Sequence, residues 1–298
     1  MTPTFSIPNI RLFIAFKVFF NSRFYYPVFT ILFLDFGLTV AQFSILNAVW
    51  AATIVLAEVP SGALADIIGR KRLLVFATSI MIIEIGIISF IPKTDPSIIF
   101  IVFLINRVLS GLAEAAASGA DEAIAYDSLE AEGDKRQWGR VLEILMRFQS
   151  FGFIIAMSVG AAIYDPNLLE SVCRFFDLDT NFSQETTMRF PLYLTFILAI
   201  CAFITTLRMD DPHKNSPSSD AKKPEIRQAF SLTLKAGLWI LKTPFALCVI
   251  LFGMLFDGII RMVVTLSSQY YRMIELPEST FGIIGSLVAM FGLVIPKI

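Results

Sequence analysis

Long apolar runs separated by short polar turns dominate this chain. Eight runs contain 18 or more mainly apolar residues, and they cover positions 12–34, 40–65, 73–91, 98–126, 138–163, 190–207, 245–271 and 281–298. About 20 apolar residues in an α-helix cross a bilayer core of roughly 30 Å. Within lipid, the backbone of a single segment satisfies its hydrogen bonds only as a helix. The pattern therefore predicts an all-α membrane protein with eight transmembrane helices.

A polar, proline-containing stretch separates the sixth run from the seventh. Residues 210–225 include Pro212, Pro217 and Pro224 and no large apolar side chain, so they cannot form a packed core. We predict a six-helix bundle at 1–208, a linker at 209–243 and the first two helices of a second bundle at 244–298. Apolar residues recur at helical spacing over 226–241. This indicates either a basic amphipathic helix on the inner leaflet or an extension of the next span.

The turn between the second and third runs carries three consecutive bases, Arg70, Lys71 and Arg72. Short loops rich in lysine and arginine stay on the cytoplasmic side of a membrane. This places the N-terminus and the linker in the cytoplasm, with fourteen lysines and arginines on that side against four outside. We therefore expect an integral protein of the plasma membrane with its N-terminus inside.

Composition supports a membrane protein and argues against several other classes. The chain is 56% hydrophobic and only 16% charged, whereas soluble domains carry about 25% charged residues. A net charge of −1 argues against a nucleic-acid partner. The single histidine, His213, lies in the polar linker and the three cysteines have no ligand spacing, so we expect no metal or cofactor. An intramembrane enzyme is disfavoured, because zinc and serine–histidine chemistry both need histidine within the membrane.

The segment GALADIIGRKRLL around this basic turn carries a family resemblance. It resembles the loop between the second and third helices of the major facilitator superfamily, roughly G-x-L-[AS]-D-[RK]-x-G-[RK]-[RK]-x-x-L. Ile67 stands where the family prefers a base. Gly62 permits a close approach of helices and Gly69 a tight turn, while Asp66 can accept charge-assisted hydrogen bonds. The matching residues are Gly62, Leu64, Ala65, Asp66, Gly69, Arg70, Lys71 and Leu74.

The resemblance implies twelve helices in two parallel six-helix repeats. A shift of 238 positions pairs Arg23 with Arg261 and Phe43 with Phe281, as expected for such repeats. The chain would thus hold a complete N-terminal six-helix half and two helices of the second half. We therefore expect a truncated reading frame, or a fragment, of a bacterial-type transporter.

Charged residues within the membrane are functional candidates by default, because burying them in lipid is costly. In the fourth run, Arg107, Glu114, Asp121 and Glu122 share one helical face. The string LINRVLSGLAEAA also loosely resembles a second motif of the superfamily, L-x-x-x-R-x-x-Q-G-x-G-A-A. This resemblance implies a role in proton coupling for Arg107. The alternative is a structural ion pair of Arg107 with Glu114 or Glu84.

The fifth run begins with Glu143 and Arg147, an i, i+4 pair on one helical face. Running outward from the cytoplasm, this helix brings Arg147 to the level of Asp121. We predict a cytoplasmic gate that closes the inner side of the protein when the two halves rock outward. Its members are Gly62, Asp66, Gly69, Arg70, Lys71, Asp121, Glu122 and Arg147.

Helices 1, 4 and 7 line the central cavity in the resembling architecture. Arg23, Arg107, Glu114, Asp257 and Arg261 fall within these runs, so we expect them to converge on a cavity for substrate or protons. Glu84 is a lesser candidate, because the third helix is usually peripheral.

These features predict a secondary active transporter in the bacterial inner membrane. It would move a small organic solute of some anionic or polar character by alternating access, coupled to protons. The alternative is a truncated or regulatory membrane fragment without transport of its own.

Overall fold

The computed structural model describes residues 4–133, 135–178, 180–212, 239–240 and 242–294. All regular secondary structure in these residues is helical, which confirms the predicted fold class. The main α-helices, numbered in chain order, are α1 (Pro8–Asn21), α2 (Phe29–Asp35), α3 (Val40–Ile68), α4 (Arg70–Phe90), α5 (Pro96–Ala117), α6 (Ala120–Glu132), α7 (Trp138–Tyr164), α8 (Pro166–Phe175), α9 (Gln184–Thr187), α10 (Phe190–Arg208), α11 (Pro244–Met273) and α12 (Glu278–Val294).

Six helical stretches are long and apolar enough to cross a membrane. They are Val40–Ala65, Arg70–Phe90, Pro96–Glu132, Lys135–Tyr164, Gln184–Arg208 and Pro244–Met273, and Glu278–Met290 is a shorter apolar helix. The eighth predicted span is therefore helical but shorter than a full span over the described residues. Exposed apolar side chains such as Leu56, Phe252 and Val263 cover the surfaces of α3 and α11, as expected for helices solvated by lipid.

The first predicted span, 12–34, is not one continuous helix. Helix α1 ends at Asn21 and α2 begins at Phe29, with a short 3-10 turn at Tyr26–Val28 between them. Pro27 lies in this turn, and proline lacks the N–H group that a continuing helix needs. Pro27 therefore accounts for the break, which places Arg23 outside regular α-helix.

The fourth predicted span, 98–126, is also interrupted. Helix α5 ends at Ala117 and α6 begins at Ala120. Gly119 between them has φ of +74°, a left-handed conformation that glycine adopts at little cost. The single helical face expected for Arg107, Glu114, Asp121 and Glu122 therefore does not continue unbroken through this turn.

The helices pack into one bundle with two distinct ends. Helix α4 packs against α5 and α10, α3 against α5, α1 against α7 and α10, α7 against α12, and α11 against α2. The end that holds Gly69 to Arg72 is the basic end, and the opposite end, where α2 and α7 finish, is the distal end. Between them, the buried rings of Phe33, Phe43 and Phe103 make edge-to-face contacts that join α2, α3 and α5.

The linker between the two predicted bundles remains a prediction. His213 and nearly all of the amphipathic helix expected at 226–241 lie outside the described residues, as do the side chains of Asp66 and Asp257. The division of the chain at 208 and 244 rests on the sequence.

Candidate functional site

A buried ion pair lies at the break between α1 and α2. The Arg23 guanidinium and the Glu84 carboxylate of α4 are 2.9 Å apart, and these side chains are 4% and 0% exposed. Arg23 also donates a hydrogen bond of 2.8 Å to the hydroxyl of Tyr25. Arg23 lies in the turn between α1 and α2, outside regular helix. From this turn its side chain extends across the bundle to α4. The charge of Arg23 is thereby neutralised inside the protein.

Helix α5 extends this ion pair into a longer polar chain. The Asn106 amide donates to the Glu84 backbone carbonyl at 2.8 Å and also to the Glu84 carboxylate. Arg107 in turn donates from Nε to the Asn106 side-chain oxygen at 3.2 Å. We call Arg23, Tyr25, Glu84, Asn106 and Arg107 the buried polar layer. It joins the broken first span, α4 and α5 near the middle of the bundle.

Arg107 differs from Arg23 in having no carboxylate partner among the described residues. Its guanidinium lies against the rings of Phe29 and Phe33, with centroids 5.3 and 5.2 Å away. The side chain is 4% exposed, and its Nη2 atom has no hydrogen-bond partner in the described part of the chain. Neither alternative predicted for Arg107, a pair with Glu84 or with Glu114, is formed there. Glu84 pairs with Arg23 instead.

A cleft of about 310 Å³ lies between the buried polar layer and the basic end. Lys17 of α1 reaches across it to Asp121 at 2.6 Å, and it lies 3.7 Å from Glu122. Asp121 is only 2% exposed, so Lys17 compensates an otherwise buried charge. The cleft is lined by Lys17, Phe20, Asn21, Glu114, Ala117, Ser118, Gly119, Asp121 and Glu122.

The expected contact between Asp121 and Arg147 is not formed among the described residues. Arg147 instead pairs with Glu143, four residues earlier on the same helix. The sequence had shown this i, i+4 pair, but not that Lys17 of the first span would reach Asp121. Glu122 is exposed and lies at the rim of the cleft.

The remaining members of the predicted gate surround the turn between α3 and α4. Arg70 forms an ion pair with Asp127 of α6, and Lys71 is partly buried. Gly69 has φ of +93°, and a Cβ atom there would lie 3.1 Å from the Asp211 carboxylate. A Cβ atom added at Gly62 would meet no atom of a neighbouring helix within 4 Å among the described residues. A close helix approach at Gly62 is therefore not seen.

A second network of charges, not predicted from the sequence, holds the distal end. Arg272, at the end of α11, donates two hydrogen bonds of 2.7 and 2.9 Å to the carboxylate of Asp35. Arg272 Nε also donates to Glu278 at 3.0 Å, and the Tyr164 hydroxyl donates to Asp35. We call Asp35, Tyr164, Arg272 and Glu278 the distal network. Acids and bases at the ends of apolar runs were its only sequence signal.

Four of the five residues expected to share one cavity have described side chains. Arg23 and Arg107 meet through Glu84 and Asn106, whereas Glu114 lines the cleft nearer the basic end. The Arg261 guanidinium lies 5.7 Å from the ring of Trp50 on α3. Asp257 lies one turn earlier on α11, and its side chain is outside the described part of the structure.

Six membrane-length helices among the described residues define a polytopic membrane protein. The chain matches the family model of the Major Facilitator Superfamily over residues 11–298. It therefore belongs to this superfamily of transmembrane transporters, as the resemblance of the turn at Gly69 had predicted. Membership implies an integral membrane protein that transports a small-molecule solute. Comparison with curated proteins finds no match.

Proposed function

We propose that this protein is a secondary active transporter that moves a small organic solute by alternating access, coupled to protons. The observation that carries the proposal is the difference between its two ends. The distal end is closed by the distal network. The basic side contains a cleft that is lined by Lys17, Glu114 and Asp121, among others.

The distal network connects parts of the chain that alternating access would separate. Asp35 and Arg272 are 237 positions apart, and their helices lie on either side of the predicted linker. The ion pairs nearer the basic end, Lys17 with Asp121 and Arg70 with Asp127, join helices that all precede residue 133. Contacts of the first kind must break when the distal end opens, whereas contacts of the second kind can persist. The arrangement fits a state open toward the basic end.

Proton coupling requires a carboxylate whose charge changes during the cycle. A charged carboxylate inside the membrane is costly unless it is paired or protonated. Glu84 is fully buried and paired with Arg23, so separating this pair would favour uptake of a proton by Glu84. Glu114, at the cleft, is the second candidate because water entering the cleft could exchange protons with it.

The basic end faces the cytoplasm in this proposal, because loops rich in lysine and arginine stay inside. The N-terminus would then be cytoplasmic, and the bacterial inner membrane would be its location. The described conformation would therefore be the inward-open one.

Flux into liposomes tests the proposal directly. The full chain is reconstituted with a pH-sensitive dye inside the vesicles, and organic acids, amines and sugars are added with and without a pH gradient. We expect one solute class to cause proton movement. Glu84→Gln should abolish uptake driven by the gradient while leaving solute exchange, because the neutral side chain mimics the protonated state.

A matched control uses an exposed acid. Glu130→Gln removes an exposed carboxylate that pairs with the exposed Lys135, and this variant should transport normally. Absence of flux with every solute class, from a folded and monodisperse protein, would favour the non-transporting fragment.

A further inference from the structure

The buried polar layer holds an unbalanced positive charge among its described members. The two arginines, Arg23 and Arg107, each carry a guanidinium that stays protonated in proteins. Glu84 supplies one negative charge, and its carboxylate is bound to Arg23 and Asn106. These three side chains therefore sum to a charge of one positive, and both arginines interact electrostatically with the one Glu84 carboxylate.

The surroundings of Arg107 hold its guanidinium in place without a direct ion pair among the described residues. Phe29 and Phe33 lie within cation–π distance on α2, and these contacts return only part of the cost of desolvating a cation. The Nε atom is occupied by Asn106. The Nη2 atom is buried and has no partner within the described ranges, which leaves a charged donor ready for an oxygen acceptor.

Glu114 lies at a different level from this donor. Seven residues separate it from Arg107 along α5, or about 10 Å at 1.5 Å per residue. It lines the cleft with Lys17, on the basic side of the buried polar layer.

We propose that Arg107 binds the carboxylate of a small organic acid with one negative charge. One oxygen of the ligand would accept a charge-assisted hydrogen bond from Nη2, which is the strongest interaction open to this donor. The open donor at Nη2 matches one carboxylate group. The apolar body of the ligand would lie against the ring of Tyr26, which is 37% exposed and contacts Phe29. This inference rests on the proposed transport function and specifies its substrate class.

Binding to the purified full chain tests the inference without transport. Thermal unfolding in detergent is followed with acetate, benzoate and 2-naphthoate, and with benzamide and benzylamine as neutral and cationic counterparts of benzoate. We expect at least one of the three carboxylates to raise the melting temperature saturably and its affinity to exceed that of benzamide and benzylamine by about tenfold or more. Equal stabilisation by benzoate and benzamide, or none by any carboxylate, overturns the proposal. If another group of the protein neutralises Arg107, none of the carboxylates will raise the melting temperature.

Variants assign the binding to Arg107. Arg107→Gln should weaken carboxylate binding about tenfold or more, whereas Arg208→Gln, which removes an exposed arginine of α10, should bind as the parent does. If Arg107→Gln does not fold, Arg107→Lys replaces it. The lysine variant keeps the charge but loses the planar donor held by Phe29 and Phe33, so binding should weaken several-fold. Unchanged affinity in the variant that folds overturns the proposal.

Failure of the site and failure of transport give different results. Carboxylate binding without flux in liposomes would leave the Arg107 site in place and contradict the transport function. Flux of amines or sugars without carboxylate binding would support transport and overturn the anion site.

Discussion

The two ends of the helical bundle are held by different kinds of contact. At the distal end, Arg272 of α11 binds Asp35 of α2 with two hydrogen bonds, so a contact between distant parts of the chain closes this end. Toward the basic end, Lys17 and Arg70 pair with acids of α6, within the first six predicted spans. The distal network can therefore open without unpacking the first bundle. The pairs toward the basic end join helices within that bundle.

The buried polar layer lies between the two ends, and breaking it should lower the free energy of unfolding more than any other change considered below. Glu84→Ala would leave Arg23 without its carboxylate in a buried site, which costs about 3 to 5 kcal/mol of the free energy of unfolding. Chemical denaturation in mixed micelles measures the loss. Glu84→Gln should lose less, because it retains an oxygen for Asn106. A loss below about 1 kcal/mol for Glu84→Ala would mean that the layer does not hold the first bundle together.

Breaking the distal network should open one end selectively. Arg272→Ala removes both hydrogen bonds to Asp35, and we expect a shift of about 1 to 2 kcal/mol toward the distally open state, since these bonds are charge-assisted but partly exposed. Ser268 is 2% exposed and accepts a hydrogen bond from the Thr30 backbone between α11 and α2. Ser268→Cys is therefore the reporter, and its labelling by a water-soluble thiol reagent should accelerate about tenfold in the Arg272→Ala background.

The labelling experiment needs a background without the native thiols. Cys173, Cys201 and Cys248 are free and partly or fully exposed, so each is first replaced by serine. Arg272→Lys keeps one charge near Asp35 and should give an intermediate rate. Equal labelling rates with Arg272 and with Ala at this position would contradict closure by the distal network.

Breaking a pair near the basic end should change stability and leave the distal end closed. Arg70→Gln removes the ion pair with Asp127, whose partners are 27% and 15% exposed, and we expect a loss of about 1 kcal/mol. Labelling of Ser268→Cys should stay at the parent rate, because this pair does not involve α11. An accelerated rate would show that the two ends are coupled through the first bundle.

The smallest expected effect concerns the cap of α5 at the distal end. The backbone N–H of Ser97 donates a hydrogen bond of 2.8 Å to the exposed Asp95 carboxylate and holds its pKa below the usual range. A carboxylate with a lowered pKa stabilises the folded protein above its ordinary pKa of about 3.9 and loses this contribution as the pH falls through the lowered value. Asp95→Ala should therefore lower the melting temperature slightly near neutral pH, with the difference shrinking below about pH 4. If the difference in melting temperature between Asp95→Ala and the parent persists undiminished in acid, the effect of the substitution comes from packing and not from the carboxylate charge.

Hydropathy and the turn at Gly69 sufficed to predict the helical class and the family, because lipid imposes helices on apolar runs. They did not predict the breaks at Pro27 and Gly119, although both residues are helix breakers visible in the sequence. The periodicity of apolar side chains continues across such breaks, so it conceals them. The position of Arg23 outside regular helix follows from the first break and permits its contact with α4.

Sequence alone therefore determined that this protein lies in a membrane, that it is helical, which superfamily it belongs to and which charged residues needed partners. Only the tertiary structure decided which partners they received. Glu84 binds Arg23 and not Arg107, Lys17 takes the place expected for Arg147, and Asp35 binds Arg272 from far along the chain. The physical reason is that hydropathy is a property of each segment, whereas ion pairing depends on how helices rotate and meet. Side chains on neighbouring helices are brought together by packing, which no spacing along a single run encodes.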